Sequence, residues 1–124
     1  MQLCIVVDVS LPSPLPDPLV ELIAHRFRVL AEPTRIRVLD CLREGPATVA
    51  EVQAGTGASQ QNVSKHLGIL HEAGLVNRVK EGNRAYYSIA DESLFEMCET
   101  VCGSLRRQVA ELDALLPAGG GPVR

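Results

Sequence analysis

The chain has 124 residues, the size of one domain, with no Trp, two Phe and two Tyr, so a core must be built from Leu, Val, Ile and Ala. No apolar run approaches the ~18 residues of a membrane span. Residues 1–11 also lack the basic flank of a secretory signal, so the cytoplasm is expected, with Cys4, Cys41, Cys98 and Cys102 as reduced thiols rather than a disulfide framework. The net charge of −3 hides a division: residues 59–84 carry Lys65, Arg78, Lys80 and Arg84 against Glu72 and Glu81, whereas residues 91–116 are strongly acidic. Phosphate contact needs a local basic patch, and the middle of the chain has one.

Residues 1–16 read as an arm, apolar and then Pro-rich. Pro12, Pro14, Pro16 and Pro18 forbid helix there. The domain is expected over residues 17–116. Asp17 is the expected cap of a first helix running to about residue 30, with Pro18 at its first position. Leu19, Leu22, Ile23, Phe27 and Leu30 recur at helical spacing within it. Pro33 opens a second helix through about residue 43, with Ile36, Leu39 and Leu42 as its buried stripe and Gly45 as its end. Thr48 with Glu51 three residues on is a capping box, so a short third helix follows from Val49 to about Gly55. Gly57 and Ala58 turn the chain, and Ser59 caps a fourth helix that stops at Gly74. Residues 75–80 and 85–89 read as strands around the turn formers Gly82 and Asn83. Asp91 caps a long last helix that ends before Pro117, and residues 117–124 form a flexible Gly-rich tail.

This order predicts a mainly α fold with a small β-hairpin, α-α-α-α-β-β-α, the winged helix-turn-helix arrangement. The short connection between the third and fourth helices forces the steep crossing such a unit needs. On the fourth helix Val63, Leu67 and Leu70 share an inward face. Gln60, Gln61, Ser64, Lys65 and Gly68 share the outer one, and Ser59 and Asn62 join them at the helix start. Amides and hydroxyls at a helix N-terminus suit base edges, because Gln offers adenine both a donor and an acceptor. His66 has two readings, a phosphate contact or a hydrogen bond inside the domain. In the hairpin Lys80, Asn83 and Arg84 are placed for phosphate or a minor groove. Tyr86 and Tyr87 alternate across the strand, with the structural role falling to Tyr87. A double-stranded DNA partner follows, and two-fold symmetry predicts a homodimer, since one helix touches too few bases. His25, His66 and His71 have no nucleophile or acid patterned beside them, so no enzyme is expected.

The stretches Ala31-Glu32-Pro33-Thr34-Arg35-Ile36-Arg37-Val38-Leu39, Ser59-Gln60-Gln61-Asn62-Val63-Ser64-Lys65-His66-Leu67 and Gly74-Leu75-Val76, with Gly82 and Tyr86-Tyr87-Ser88, resemble the ArsR/SmtB family of metal- and stress-sensing repressors over residues 18–112. The resemblance implies a homodimer built by the first and last helices, an inverted-repeat operator, and an effector that weakens DNA affinity. The family's usual sensors are mostly missing. Residues 46–51 hold no Cys-x-Cys pair. Of a four-ligand zinc site in the last helix only Asp91 remains, with Ser93, Ser104 and Arg107 at the other positions. Cys41 is offset by one residue from the second-helix thiol of persulfide-sensing members.

Cys98 and Cys102 are four residues apart and so share a helix face. Such a pair suits As(III), Cd or Cu(I), with a third ligand from Cys4, Cys41 or the partner subunit. The other reading is packing, because Leu94, Cys98, Val101, Cys102 and Leu105 make one apolar stripe in which cysteine serves as a small hydrophobe. The effector is then a soft ion or thiol oxidant on the first reading. On the second, the cysteines are inert in a winged-helix regulator that answers a non-metal signal or acts through protein contacts.

Overall fold

A computed structural model describes residues 10–116 of the chain; the remainder of the predicted arm, with Cys4, and the tail at 117–124 lie outside these residues. The described chain divides into two compact units, one ending at Ile89 and the other beginning at Ala90. The first contains α1 (Asp17–Leu30), α2 (Pro33–Cys41) with a 3-10 turn at Leu42–Glu44, α3 (Val49–Thr56), α4 (Gln60–Glu72), β1 (Val76–Glu81) and β2 (Arg84–Ile89). The second contains α5 (Ser93–Leu115). The element order is that of the expected winged helix-turn-helix.

Helix starts follow local chemistry, with two shifts. Pro16, not Asp17, is the cap residue of α1, and its carbonyl accepts from the N–H groups of Leu19 and Val20, each at 3.0 Å. The extended backbone of Pro16 leads into the helix, and Asp17 falls inside the first turn, where its carboxylate favours the helix N-terminus. The Glu32 carboxylate caps α2 by accepting from the Thr34 and Arg35 N–H groups. In α3 the capping box is complete: Glu51 N–H donates to Thr48 Oγ1 at 3.2 Å, and Thr48 N–H donates to Glu51 Oε1 at 2.9 Å. At α5 the cap position is Glu92 rather than the expected Asp91, whose Oδ1 instead accepts from Ser93 N–H at 3.0 Å just ahead of the helix.

The core of the first unit is aliphatic. Val38, Leu39 and Leu42 meet Val52 of α3 and Val63, Leu67 and Leu70 of α4, with Val29, Leu75, Val76 and Tyr87 closing it. Each such side chain contributes about 1.5–3 kcal/mol on burial. The expected stripe of α2 is corrected here. Val38 belongs to it, whereas Ile36 is 48% exposed. Residues 38, 39 and 42 define the inward face at 3.6 residues per turn, and residue 36 falls beyond its edge.

Between α3 and α4 lie only Gly57, Ala58 and Ser59. Gly57 takes the left-handed conformation, φ +75°, and its N–H donates to the Gln53 carbonyl at 2.9 Å, so the chain leaves α3 at a sharp angle. Ser59 is extended, and its Oγ accepts from Asn62 N–H at 3.2 Å, which starts α4.

The hairpin pairs Glu81 with Arg84, leaving a two-residue turn at Gly82 and Asn83. β1 starts at Val76 instead of residue 75, because Leu75 N–H donates to the Leu70 carbonyl at 2.9 Å and closes the end of α4. Tyr87 exchanges two backbone bonds with Ala47, at 2.9 and 2.8 Å, which fasten the hairpin to the loop before α3.

In the second unit α5 is one continuous helix on which Val101, Leu105, Val109 and Leu112 are exposed. Leu22 and Phe27 of α1 are likewise exposed in the first unit.

Candidate nucleic-acid interface

α4 is two-faced. Val63, His66, Leu67 and Leu70 point inward. Gln60, Gln61, Asn62, Ser64, Lys65 and Gly68 are exposed, as is Ser59 before them. The first turn therefore offers amides, a hydroxyl and free backbone N–H groups together, and Lys65 stands one turn further along. The inward residues anchor this surface, and the short Gly57 turn sets its direction relative to α3.

His66 is the exception among the expected contact residues. It is buried, and its Nδ1 accepts from Arg35 Nε–H at 3.1 Å. Of its two readings the structure carries the hydrogen bond inside the domain, and a phosphate contact is unavailable to a side chain on the inward face. Burial holds the imidazole below its ordinary range, with Arg35 and Lys65 acting in the same direction and Glu32 against them.

On the hairpin Lys80, Asn83 and Arg84 are exposed. Tyr87 is buried, as its structural reading requires, while Tyr86 is half-buried. Arg78 was visible in the sequence only as part of the basic count. It faces Tyr87 across the ladder, and its Nε–H donates to the Tyr87 hydroxyl at 3.2 Å. An open groove of about 510 Å³ runs between α4 and the hairpin, with Ser64, Lys65 and Gly68 on one side and Arg78 and Tyr87 on the other. The signal for Arg78 was present: a two-residue turn at Gly82 and Asn83 fixes the pairing of 78 with 87.

The cysteines separate into two kinds. Cys98 and Cys102 are exposed on α5. Cys41 is half-buried, and a Cβ placed on Gly55 would stand 2.8 Å from its sulfur, so this thiol fills the space Gly55 leaves. Burial, and then Asp40, push its pKa up. Both effects disfavour the thiolate form through which a cysteine holds a soft ion. Among the described residues no three His, Cys, Asp or Glu side chains gather into a group that could hold a metal ion. Cys98 and Cys102 stand one turn apart on α5.

A helix-turn-helix domain family matches residues 30–79. The HTH-type transcriptional regulator Rv0081 of Mycobacterium tuberculosis is 36% identical over 108 residues, covering 84% of this chain and 95% of that protein. Its crystal structure superposes with a TM-score of 0.69 at 35% identity, over 77% of this chain and 97% of that one. The solution structure of a homodimeric winged helix-turn-helix DNA-binding domain, Mb0332 from Mycobacterium bovis, described as a possible ArsR-family regulator, gives a TM-score of 0.65 at 29% identity over 78% of this chain and 95% of that one. The antimony-specific transcriptional repressor AntR gives 0.69 at 25% identity over 86% and 97%. With the recognition helix, the hairpin and these relatives in agreement, the chain belongs to the ArsR/SmtB family of winged helix-turn-helix transcriptional regulators and is a DNA-binding repressor.

Proposed function

We propose that the repressor acts as a cytoplasmic homodimer on an inverted-repeat operator. Ser59, Gln60, Gln61, Asn62, Ser64 and Lys65 read the major groove, and Lys80, Asn83 and Arg84 hold the backbone or the minor groove beside it. The observation that carries this reading is the exposed polar first half of α4. It is anchored by an apolar inward face and flanked by a basic hairpin.

Dimerisation is supported by the exposed apolar residues Leu22 and Phe27 of α1 and Val101, Leu105 and Val109 of α5. Surface of this kind is costly to leave in water and suits an isologous contact between copies. The homodimeric relative from Mycobacterium bovis supports the same assembly. Two recognition helices related by a two-fold axis then read half-sites about one helical turn, or a multiple, apart.

The effector we propose is a soft metal or metalloid ion such as As(III), Cd or Cu(I), captured by Cys98 and Cys102. Their exposure and one-turn spacing support it, and so does the likeness to an antimony-specific repressor.

The DNA reading is tested by mobility shift on the promoter upstream of the chain's own gene at two salt concentrations. Affinity is expected to fall steeply with salt, at a slope of roughly −0.9 per neutralised phosphate. Absence of binding, or binding indifferent to salt, sinks the reading. Sedimentation of the free protein tests the dimer.

A further inference from the structure

We infer that Arg78, set by the Tyr87 hydroxyl, forms with Lys65 a seat for one backbone phosphate of DNA in the groove between α4 and the hairpin. The inference rests on the DNA-binding reading above and adds Arg78, which lies on neither α4 nor the hairpin tip, to the residues that contact DNA.

Three features carry it. The first is the mounting of Arg78. Its Nε–H donates to Tyr87 Oη at 3.2 Å, and Tyr87 is itself buried and fastened through its backbone to Ala47 at 2.9 and 2.8 Å. An arginine on the surface ordinarily loses rotamer freedom when it binds an anion. One already oriented by a fixed hydroxyl loses less, and the bond at Nε leaves both terminal nitrogens of the planar fork as donors.

The second feature is the opposite wall. Ser64 and Lys65 bring a hydroxyl and a second cation to the same groove. Two cations and a hydroxyl around one space match a phosphate oxygen set, beside the apolar lining that Ile69 gives the same groove.

The third feature is clearance. Gly68 lies on the groove, and a Cβ built there would meet nothing within 4 Å, so the helix wall is low where a DNA strand would pass. Glu72 also lines the groove. It stands two turns along α4 from Lys65, about 10 Å at 1.5 Å per residue, and its carboxylate limits the seat to a single anion at the Lys65 end.

The test is fluorescence anisotropy on two duplexes, the chain's own promoter segment and a random sequence of equal length, across a salt series. Variants are Arg78→Gln, Arg78→Lys and Tyr87→Phe, each checked for an unchanged thermal transition. Loss of one phosphate contact lowers the salt slope by about 0.9, equivalent to about eightfold weaker binding near 0.1 M salt. Arg78→Gln is expected to show this on both duplexes alike, and Arg78→Lys to recover most of the slope. Tyr87→Phe is expected to keep the slope and weaken binding by less than about tenfold, the range of one ordinary hydrogen bond. An Arg78→Gln protein with wild-type slope and affinity overturns the seat, and so does an effect confined to the promoter duplex, which marks a base contact instead. Tyr87→Phe binding like wild type overturns the mounting. If the wild-type protein binds neither duplex, the DNA reading falls and the seat with it; wild-type binding untouched by Arg78→Gln removes the seat alone.

Discussion

Arg35 and His66, 31 residues apart in the chain, are joined by a 3.1 Å hydrogen bond in which Arg35 Nε–H donates to His66 Nδ1. The same guanidinium donates from Nη1 to the Val29 carbonyl at 3.0 Å. One side chain of α2 thus holds both the end of α1 and the inward face of the recognition helix. Because Nδ1 accepts, the imidazole is neutral and carries its proton on Nε2. The orientation of α4 depends on polar bonds as well as on Val63, Leu67 and Leu70.

Arg35→Ala leaves the Val29 carbonyl and the buried His66 nitrogen without their donor. Unfolding in urea is expected to show a loss of about 1–3 kcal/mol, the cost of leaving buried polar groups unpaired. Operator affinity should fall further than stability alone explains, because α4 loses a positioning bond while its exposed side chains, proposed above to read DNA, are untouched. A variant as stable as wild type and equal in affinity would show that the bond positions nothing.

The same pair predicts a pH dependence whose sign follows from the burial of His66. Its folded pKa lies below the ordinary 6.5, so the unfolded chain binds a proton that the folded chain refuses. The stabilisation is fully present above about pH 6.5 and is lost as pH falls from there to the folded value. Glu32 acts lower. The Thr34 and Arg35 N–H groups, with the Arg35 charge, hold its carboxyl below the ordinary 4.5, so its contribution is lost only as pH falls below that value. Urea midpoints measured from about pH 7.5 to about pH 5 should decline for wild type and stay flatter for His66→Gln, whose amide oxygen accepts from Arg35 but does not titrate. Parallel curves would exclude His66 as the source.

The local parts of this architecture were legible because their causes are local. Thr48 with Glu51, Ser59 before α4, and Gly82-Asn83 between two strands each state a cap or a turn within a few residues. Ile36 was misjudged because two spacings were open to α2, and the one that buries Val38 is selected by α3 and α4 rather than by α2 itself. His66 could not be placed from its neighbours. On a helix drawn alone it borders the apolar face, and only the distant Arg35 supplies the partner that makes burial of an imidazole tolerable. Arg78 fell between these cases, since its cross-strand partner follows from the turn but the groove it lines with Lys65 does not.

Within the proposed interface Gln60 and Arg84 should separate base reading from backbone contact. Gln60 sits exposed in the first turn of α4, where an amide can pair with adenine through both its groups. Gln60→Ala is expected to cost about 1–3 kcal/mol on the native operator and less on operators altered at one base pair, so that preference there relaxes. Arg84, exposed beside the hairpin turn, should weaken all sequences alike when changed to Ala and lower the salt slope by about 0.9. Affinities over a panel of single-base operator variants decide it; identical profiles for the two proteins would mean the reading face is misassigned.

The proposed input rests on the contrast between thiols. Cys98 and Cys102 are exposed and one turn apart, whereas Cys41 is packed against Gly55 with its pKa pushed up by burial and by Asp40. Residue-resolved alkylation of the dilute, dissociated protein, in which the α5 face that these thiols share with Val101 and Leu105 is open, should label Cys98 and Cys102 quickly and Cys41 slowly at neutral pH. Arsenite or Cd is expected to protect the fast pair from label in the dissociated protein and, added to the repressor on its operator, to lower DNA affinity roughly 5- to 150-fold, the usual range of coupling between two sites on one protein. Capture of arsenite by two thiols releases two waters as two As–S bonds form, so it does not require an oxidant, and a reductant such as a phosphine should not reverse it. The Cys98→Ser, Cys102→Ser protein should bind DNA as wild type does and ignore both ions. Release that persists in the double variant would place the sensor elsewhere, and release that phosphine reverses would point to a disulfide instead of a bound ion.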